Sequence, residues 1–391
     1  MKLYIITLLF FISISVVNGQ GIDFYKGDIA GAKEKAKLEN KIIFIDAYTT
    51  WCGPCKWLTK EIFPQKEVGD YFNANFVSFR MDMEKGEGIE FRKKYKIRAY
   101  PTLLFIDSLG NLVHQGVGAM KAEKLIELGK DALNPEKRLK ELTERYENGE
   151  RDTPFIQKYL EVASGAYIDV KECADWFFYT QSDEDLMTKE NIELITHLVQ
   201  NTDHRCFKFL VKNQDECQKL TEKDLGKYIE NVFYRKLYIA ERKDKETYEK
   251  AKIDVKSSGY KGADKLMAKI ELNKLRYANE KDWEKITAKA NEYFTKFAPN
   301  DSDMRNEVAW SYYENDDMQN VNLLKIALKW AKESVELDEK YMNTDTYAAL
   351  LYKLKMKKEA AKAAKKAIEL AKKSGEDASE TEKLLEKINK L

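Results

Sequence analysis

The 391-residue chain is 43% hydrophobic and 34% charged, enough apolar material for two or three separate cores. Its 67 basic and 66 acidic side chains leave a formal charge of +1, so no net field draws it to nucleic acid or to an anionic membrane. Five cysteines, an odd number in so long a chain, exclude a fold built on a disulfide framework.

The chain opens with MKLYIITLLFFISISVVNGQ, in which Lys2 precedes an apolar run of 15 residues from Leu3 to Val17. That run is shorter than the roughly 20 residues that cross a bilayer. With small Gly19 behind it, it has the pattern of a signal peptide over residues 1–19, cleaved before Gln20. The mature chain is therefore expected to be exported and soluble, with no membrane insertion after signal cleavage. Its address would be periplasmic in a Gram-negative source and extracellular otherwise. No cysteine directly follows the run, so a lipid would find no acceptor.

From residue 20 to 134 the sequence alternates two periodicities. GDIAGAKEKAKLEN reads as a helix and KIIFIDAY as a buried strand. WCGPCK follows, with a helix from about Pro54 that should kink or end near Pro64. FVSFRMDM is a second strand and GIEFRKKY a short helix. TLLFIDSLGNLVHQGV is two strands about a turn at Leu109-Gly110-Asn111, and KAEKLIELGKDAL closes the region as a helix. Alternating strands and helices predict a compact α/β domain with helices flanking a central mixed sheet.

Beyond it, residues 135–391 are expected to form an all-α region. Twelve of the 18 glycines lie before residue 135, and Asn134 with Pro135 reads as a helix start. TPFIQKYLEVAS should begin another helix, with Thr153 as its cap. Near the end, Ala331, Ser334, Val335 and Leu337 recur 33 residues later as Ala364, Ala367, Ile368 and Leu370. Paired helices of that period with small residues at the crossings resemble tetratricopeptide-type repeats, most evident over 298–391. Cys173, Cys206 and Cys217 read as small buried hydrophobes. The lysine-rich stretch from Lys353 to Lys373 reads as the solvated face of a helix.

Cys52 and Cys55 need a different account. Structural zinc requires four ligands, and there is neither a second such pair nor a suitable histidine cluster. Covalent haem requires histidine after the second cysteine, where Lys56 stands. A disulfide closing so short a loop adds little stability. Redox chemistry has positive support, because Cys52 would sit where a strand meets a helix and the unpaired amides of the first turn favour a thiolate. Cys55, one turn on, could then resolve the mixed disulfide that Cys52 forms. Gly53 leaves room for a partner's backbone, and Pro54 removes a donor the helix start would leave unsatisfied anyway.

WCGPCK at this junction resembles the active site of the thioredoxin family, and over residues 22–133 two further features agree. The resemblance implies a thioredoxin fold in which Asp46 is the buried acid that accepts the Cys55 proton through water. It also implies that Pro101 is a cis-proline beside the disulfide, where it and Tyr100 meet an extended substrate strand. Trp51 would flank the cleft. The insert MDMEKGEGIEFRKKY and the size of Tyr100 look more like exported bacterial thioredoxin-like proteins.

A Gly-Pro pair between the cysteines is that of reducing members, so the resemblance implies a protein-disulfide reductase or isomerase that needs no metal or other cofactor. Its partners would be disulfide-containing exported proteins and a membrane-embedded thiol electron donor, with the helical region recruiting clients. The rival reading is a helical-repeat interaction or scaffold protein with a regulatory or minor redox module. A third is metal carriage by the Cys52–Cys55 pair.

Overall fold

The computed structural model describes residues 21–391; the expected signal peptide lies outside them. Two compact units result, the first running through Val199 and the second from Gln200 to Leu391.

In the first unit, α1 (Ile29–Glu39), β1 (Ile42–Tyr48), α2 (Gly53–Trp57), α3 (Lys66–Asn75), β2 (Phe76–Asp82), α4 (Gly88–Lys94), β3 (Thr102–Ile106), β4 (Leu112–Val117) and α5 (Ala122–Leu133) follow one another. The four strands form one sheet in the order β2-β1-β3-β4, with β1 parallel to β2 and the other pairs antiparallel. Successive residues of a strand face opposite sides. Ile43, Ile45 and Ala47 of β1 therefore pack in one core with Ala32 and Ala36 of α1 and Phe91 of α4. Phe44 packs in the other with Leu58, Phe72 of α3, Phe105 of β3 and Leu125 of α5. Asp46 shares the side of Phe44, which places a carboxyl group under the helix that carries the cysteines.

Helix α3 was not anticipated from the sequence. It starts just after Pro64, and Gln65 makes no capping side-chain bond. Tertiary packing of Val68 and Phe72 holds it, and Gly69 lets the chain beyond Gly21 lie against it. A Cβ at Gly69 would stand 2.3 Å from the Gly21 carbonyl oxygen. The helix begun at Gly53 ends just before Pro64, as expected. Its last turn is a π-turn over Leu58–Ile62, and it stops at Phe63.

After α5 the expected helix at Pro135 is a turn instead. The Asn134 carboxamide oxygen accepts from the Glu136 amide, and the Asn134 carbonyl from Lys137 and Arg138. Helix α6 (Leu139–Glu147) takes its cap from the sheet: the Leu139 amide donates to Nδ1 of buried His114 on β4 at 3.1 Å. Helix α7 (Thr153–Gly165) is capped by Asp152, one residue before the expected Thr153. Gln115 of β4 donates to the Ala166 carbonyl at the end of α7 at 2.5 Å. The first unit thus continues past residue 134, with β4 as its attachment line.

Burial pushes the His114 imidazole from 6.5 down to about 4. The folded state binds fewer protons there, so the stabilisation is fully present above pH 6.5 and lost as pH falls through about 4. Replacing His114 with alanine removes the acceptor for Leu139 and should cost roughly 1–3 kcal/mol at pH 7. Urea unfolding should show that difference shrinking towards pH 4; a constant difference would refute the cap.

The second unit is helical throughout its ordered elements. One core of this unit surrounds Tyr293, Tyr312 and Trp330. Near the end, helices Val321–Leu337 and Lys357–Ser374 are each the second of a pair, preceded by Ser302–Glu314 and Tyr341–Lys353. The matching residues Ala331 and Ala364, and Ser334 and Ala367, are buried. Cys206 and Cys217, like Cys173 in the first unit, are buried and unbridged. Burial raises the Cys173 thiol and pushes that of Cys217 up to about 11, which leaves both protonated at neutral pH.

Candidate active site

Cys52 follows β1 by four residues and is the N-cap of α2; its sulfur accepts from the Cys55 amide at 3.1 Å. The two cysteines are joined as a disulfide with Cα atoms 5.3 Å apart. Both are buried in this oxidised form, 3% and 2% exposed. Gly53 and Pro54 are exposed, and a Cβ at Gly53 would meet no atom within 4 Å, so the approach to the dithiol is open there.

Antiparallel pairing brings the second part of the site alongside. Thr102, the first residue of β3, lies opposite Ala47 near the end of β1. The preceding Tyr100–Pro101 bond is cis, and Pro101 is buried with its carbonyl accepting from Gly118 at 2.8 Å. The Tyr100 ring meets Trp51 edge to face at 6.0 Å. Trp51 remains 64% exposed, yet its indole N–H is fixed by Glu84 at 3.0 Å. Trp51 is thus a rigid apolar ledge at the rim of the cleft. Glu84 belongs to the insert between β2 and α4, and sequence reasoning assigned it nothing.

Asp46 is wholly buried. Parallel pairing puts it opposite Arg80 of β2, whose Nε donates to Asp46 Oδ2 at 2.8 Å. Asp46 Oδ1 is buried without a hydrogen-bond partner. Burial raises the carboxyl from 3.8 to about 6, the Arg80 charge and hydrogen bond opposing that rise. A carboxylate that titrates near neutral pH can accept a thiol proton and return it. Arg80 also donates from Nη2 to the Thr59 hydroxyl at 2.7 Å, and its guanidinium lies over the Tyr48 ring at 4.6 Å. Neither Arg80 nor Thr59 was picked out from the sequence. One signal was available: Arg80 is the lone cation in FVSFRMDM, as Asp46 is the lone acid in KIIFIDAY. Two opposite ions in two buried strands call for each other's company.

Comparison with known proteins agrees with this geometry. Residues 29–133 match the family model described as a thioredoxin-like domain. Thioredoxin H4 of Arabidopsis thaliana is 31% identical over 107 residues, covering 27% of this chain and 85% of that protein. Thioredoxin-1 of Drosophila melanogaster is 34% identical over 68 residues, 17% of this chain and 59% of the fly protein's length. Among solved structures, a putative disulphide-isomerase from Bacteroides thetaiotaomicron is 49% identical, covering 30% of this chain and 96% of its own, with a TM-score of 0.28. The match over 85% of thioredoxin H4 at 31% identity, with Cys52 capping the helix that carries Cys55, places the chain in the thioredoxin family.

Proposed function

We propose that the chain is a thiol-disulfide oxidoreductase that reduces or isomerises disulfides of exported proteins through the Cys52–Cys55 couple. The observation that carries this is the Cys52 sulfur at a helix N-cap, bonded by the Cys55 amide and joined to Cys55 as a disulfide. In the reduced form that amide and the helix start favour the Cys52 thiolate. The thiolate attacks one sulfur of a client disulfide, forming a mixed disulfide and releasing the client's other sulfur as thiolate. Cys55 then gives its proton to Asp46, through water, and its thiolate attacks Cys52. The Cys52–Cys55 disulfide forms, the client leaves with its second thiolate, and two electrons have passed from chain to client. Asp46 gives up its proton to the solvent or to the departing thiolate. Trp51, Tyr100 and Pro101 line the groove in which the client strand is presented to Cys52.

Net reduction outside the cytoplasm needs a supply of electrons, which a membrane-embedded thiol carrier would provide, and residues 1–19 would direct the chain there. The helical second unit would recruit the clients. Equilibration against glutathione buffers tests the direction. A potential near the −270 mV or so of thioredoxin itself supports reduction; one near the −120 mV or so of strong oxidants overturns it. Recruitment is tested with a chain ending at Val199, which retains β4 and the helices bonded to it. Its insulin-disulfide reduction should match the full chain, while the set of exported proteins trapped by its Cys55→Ala form should shrink. An unchanged set would remove recruitment from the account.

A further inference from the structure

We infer that Thr59 is a positioning residue of the resolving step: its hydroxyl ties the Arg80 guanidinium to the helix bearing Cys55, and so fixes which oxygen of Asp46 is left to take the proton. This rests on the oxidoreductase reading above.

The bonds form one continuous line. The Thr59 hydroxyl donates to the Cys55 carbonyl at 2.9 Å, which commits its only proton. Its lone pairs then face outward, and one of them accepts from Arg80 Nη2 at 2.7 Å. Arg80 Nε occupies Asp46 Oδ2 at 2.8 Å. A guanidinium is a rigid planar fork, so anchoring it at two points removes its freedom to swing from Oδ2 to Oδ1 or towards solvent. Asp46 Oδ1 is the atom left buried and unpartnered. Without the Thr59 anchor the partly buried Arg80 side chain keeps one hydrogen bond to the carboxylate and its stacking on Tyr48.

The local backbone explains why a residue at this place can do so. Thr59 lies in the π-turn that follows α2, and such turns shift the side chains beyond them relative to a regular helix. Thr59 thereby stands both one turn after Cys55 and within reach of a strand across the core. The threonine also covers a carbonyl that otherwise receives the Leu58 amide.

The charge around Asp46 is simple. From β2 comes Arg80; from β1, Tyr48 lies under that same guanidinium; the β3 residue opposite Asp46 is Leu103, and α2 brings Cys55. Lys56, Lys60 and Glu61 of the same helical segment are exposed. Loosening Arg80 therefore removes the cation that opposes the effect of burial on the Asp46 carboxyl, and its titration moves to higher pH.

The experiment is single-turnover resolution in the full chain. The reduced protein is mixed with dithiobis-nitrobenzoate, which loads Cys52, and release of the second nitrothiophenolate as Cys55 attacks is followed from pH 5 to 9. Thr59→Val keeps the branched shape without the hydroxyl; Thr59→Ala is the second variant in case the first folds poorly. Both should shift the midpoint of the resolving step upward by about one pH unit, a slowing of about fivefold at pH 6 that fades above pH 8. Thr59→Ser should restore the original profile. Coincident profiles for the wild type and both hydroxyl-free variants would overturn the inference, as would a serine variant shifted as far as the valine one. A wild-type chain that releases no second equivalent would instead defeat the oxidoreductase reading, so the two failures are distinguishable.

Discussion

Cys52→Ser should lose at least about a thousandfold of insulin-disulfide reduction in the presence of dithiothreitol, with the fold intact. A serine hydroxyl is not ionised near neutral pH, and the helix start that favours a thiolate cannot supply the missing nucleophile. Cys55→Ala should lose turnover to a similar degree for another reason. Its Cys52 still attacks, but no neighbouring thiolate displaces the client, so mixed disulfides accumulate and survive non-reducing electrophoresis until a thiol is added. The two variants thus divide the reaction at its midpoint. Turnover above about a tenth of wild type in Cys52→Ser would show that the chemistry lies elsewhere, and Cys173, Cys206 and Cys217 are all buried. Traps formed equally by Cys52→Ser and Cys55→Ala would exchange the assigned roles.

Asp46→Asn should slow reduction at neutral pH and yet make the protein more stable there. The folded carboxyl titrates near 6 against an ordinary 3.8, so between those values the folded state holds more protons than the unfolded one. Stability from this group therefore falls as pH rises through that window, and the cost is complete above it. The shift corresponds to roughly 3 kcal/mol. Asparagine keeps a hydrogen-bonding oxygen for Arg80 without the buried charge, so the variant should exceed wild type by about 1–3 kcal/mol at pH 8 and lose that advantage near pH 4. His114 contributes the opposite slope over a similar range, but it is present in both proteins and cancels in their difference. Urea unfolding of both proteins at pH 4, 6 and 8 gives the result. A stability difference that does not change with pH would mean that Asp46 is ionised throughout, and would remove it as the proton acceptor.

The candidate site was legible where local spacing alone determines chemistry. Two cysteines three apart at the end of an apolar strand lie one helical turn from each other in any fold that keeps that junction, and Asp46 and Pro101 could be located by their order around it. Strand and helix positions followed from hydrophobic period, which is likewise a property of neighbours in the chain. Two kinds of feature did not follow. Helix α3 and the π-turn have little of their own sequence signal; contacts with Phe44 and Phe105 from distant strands fix them. The cap of α6 is His114, 25 residues upstream on a strand, so reading the residues next to the helix pointed to Asn134 instead.

By itself, the sequence marked the candidate groups: two sulfurs, an acid and a proline in a set order. Tertiary structure alone decided what controls them. Arg80 reaches Asp46 because β1 and β2 are parallel and in that register, and Glu84 reaches Trp51 because the insert folds over the rim of the cleft. Register and packing are properties of the assembled sheet, set by all its strands together, and no window along one strand contains them.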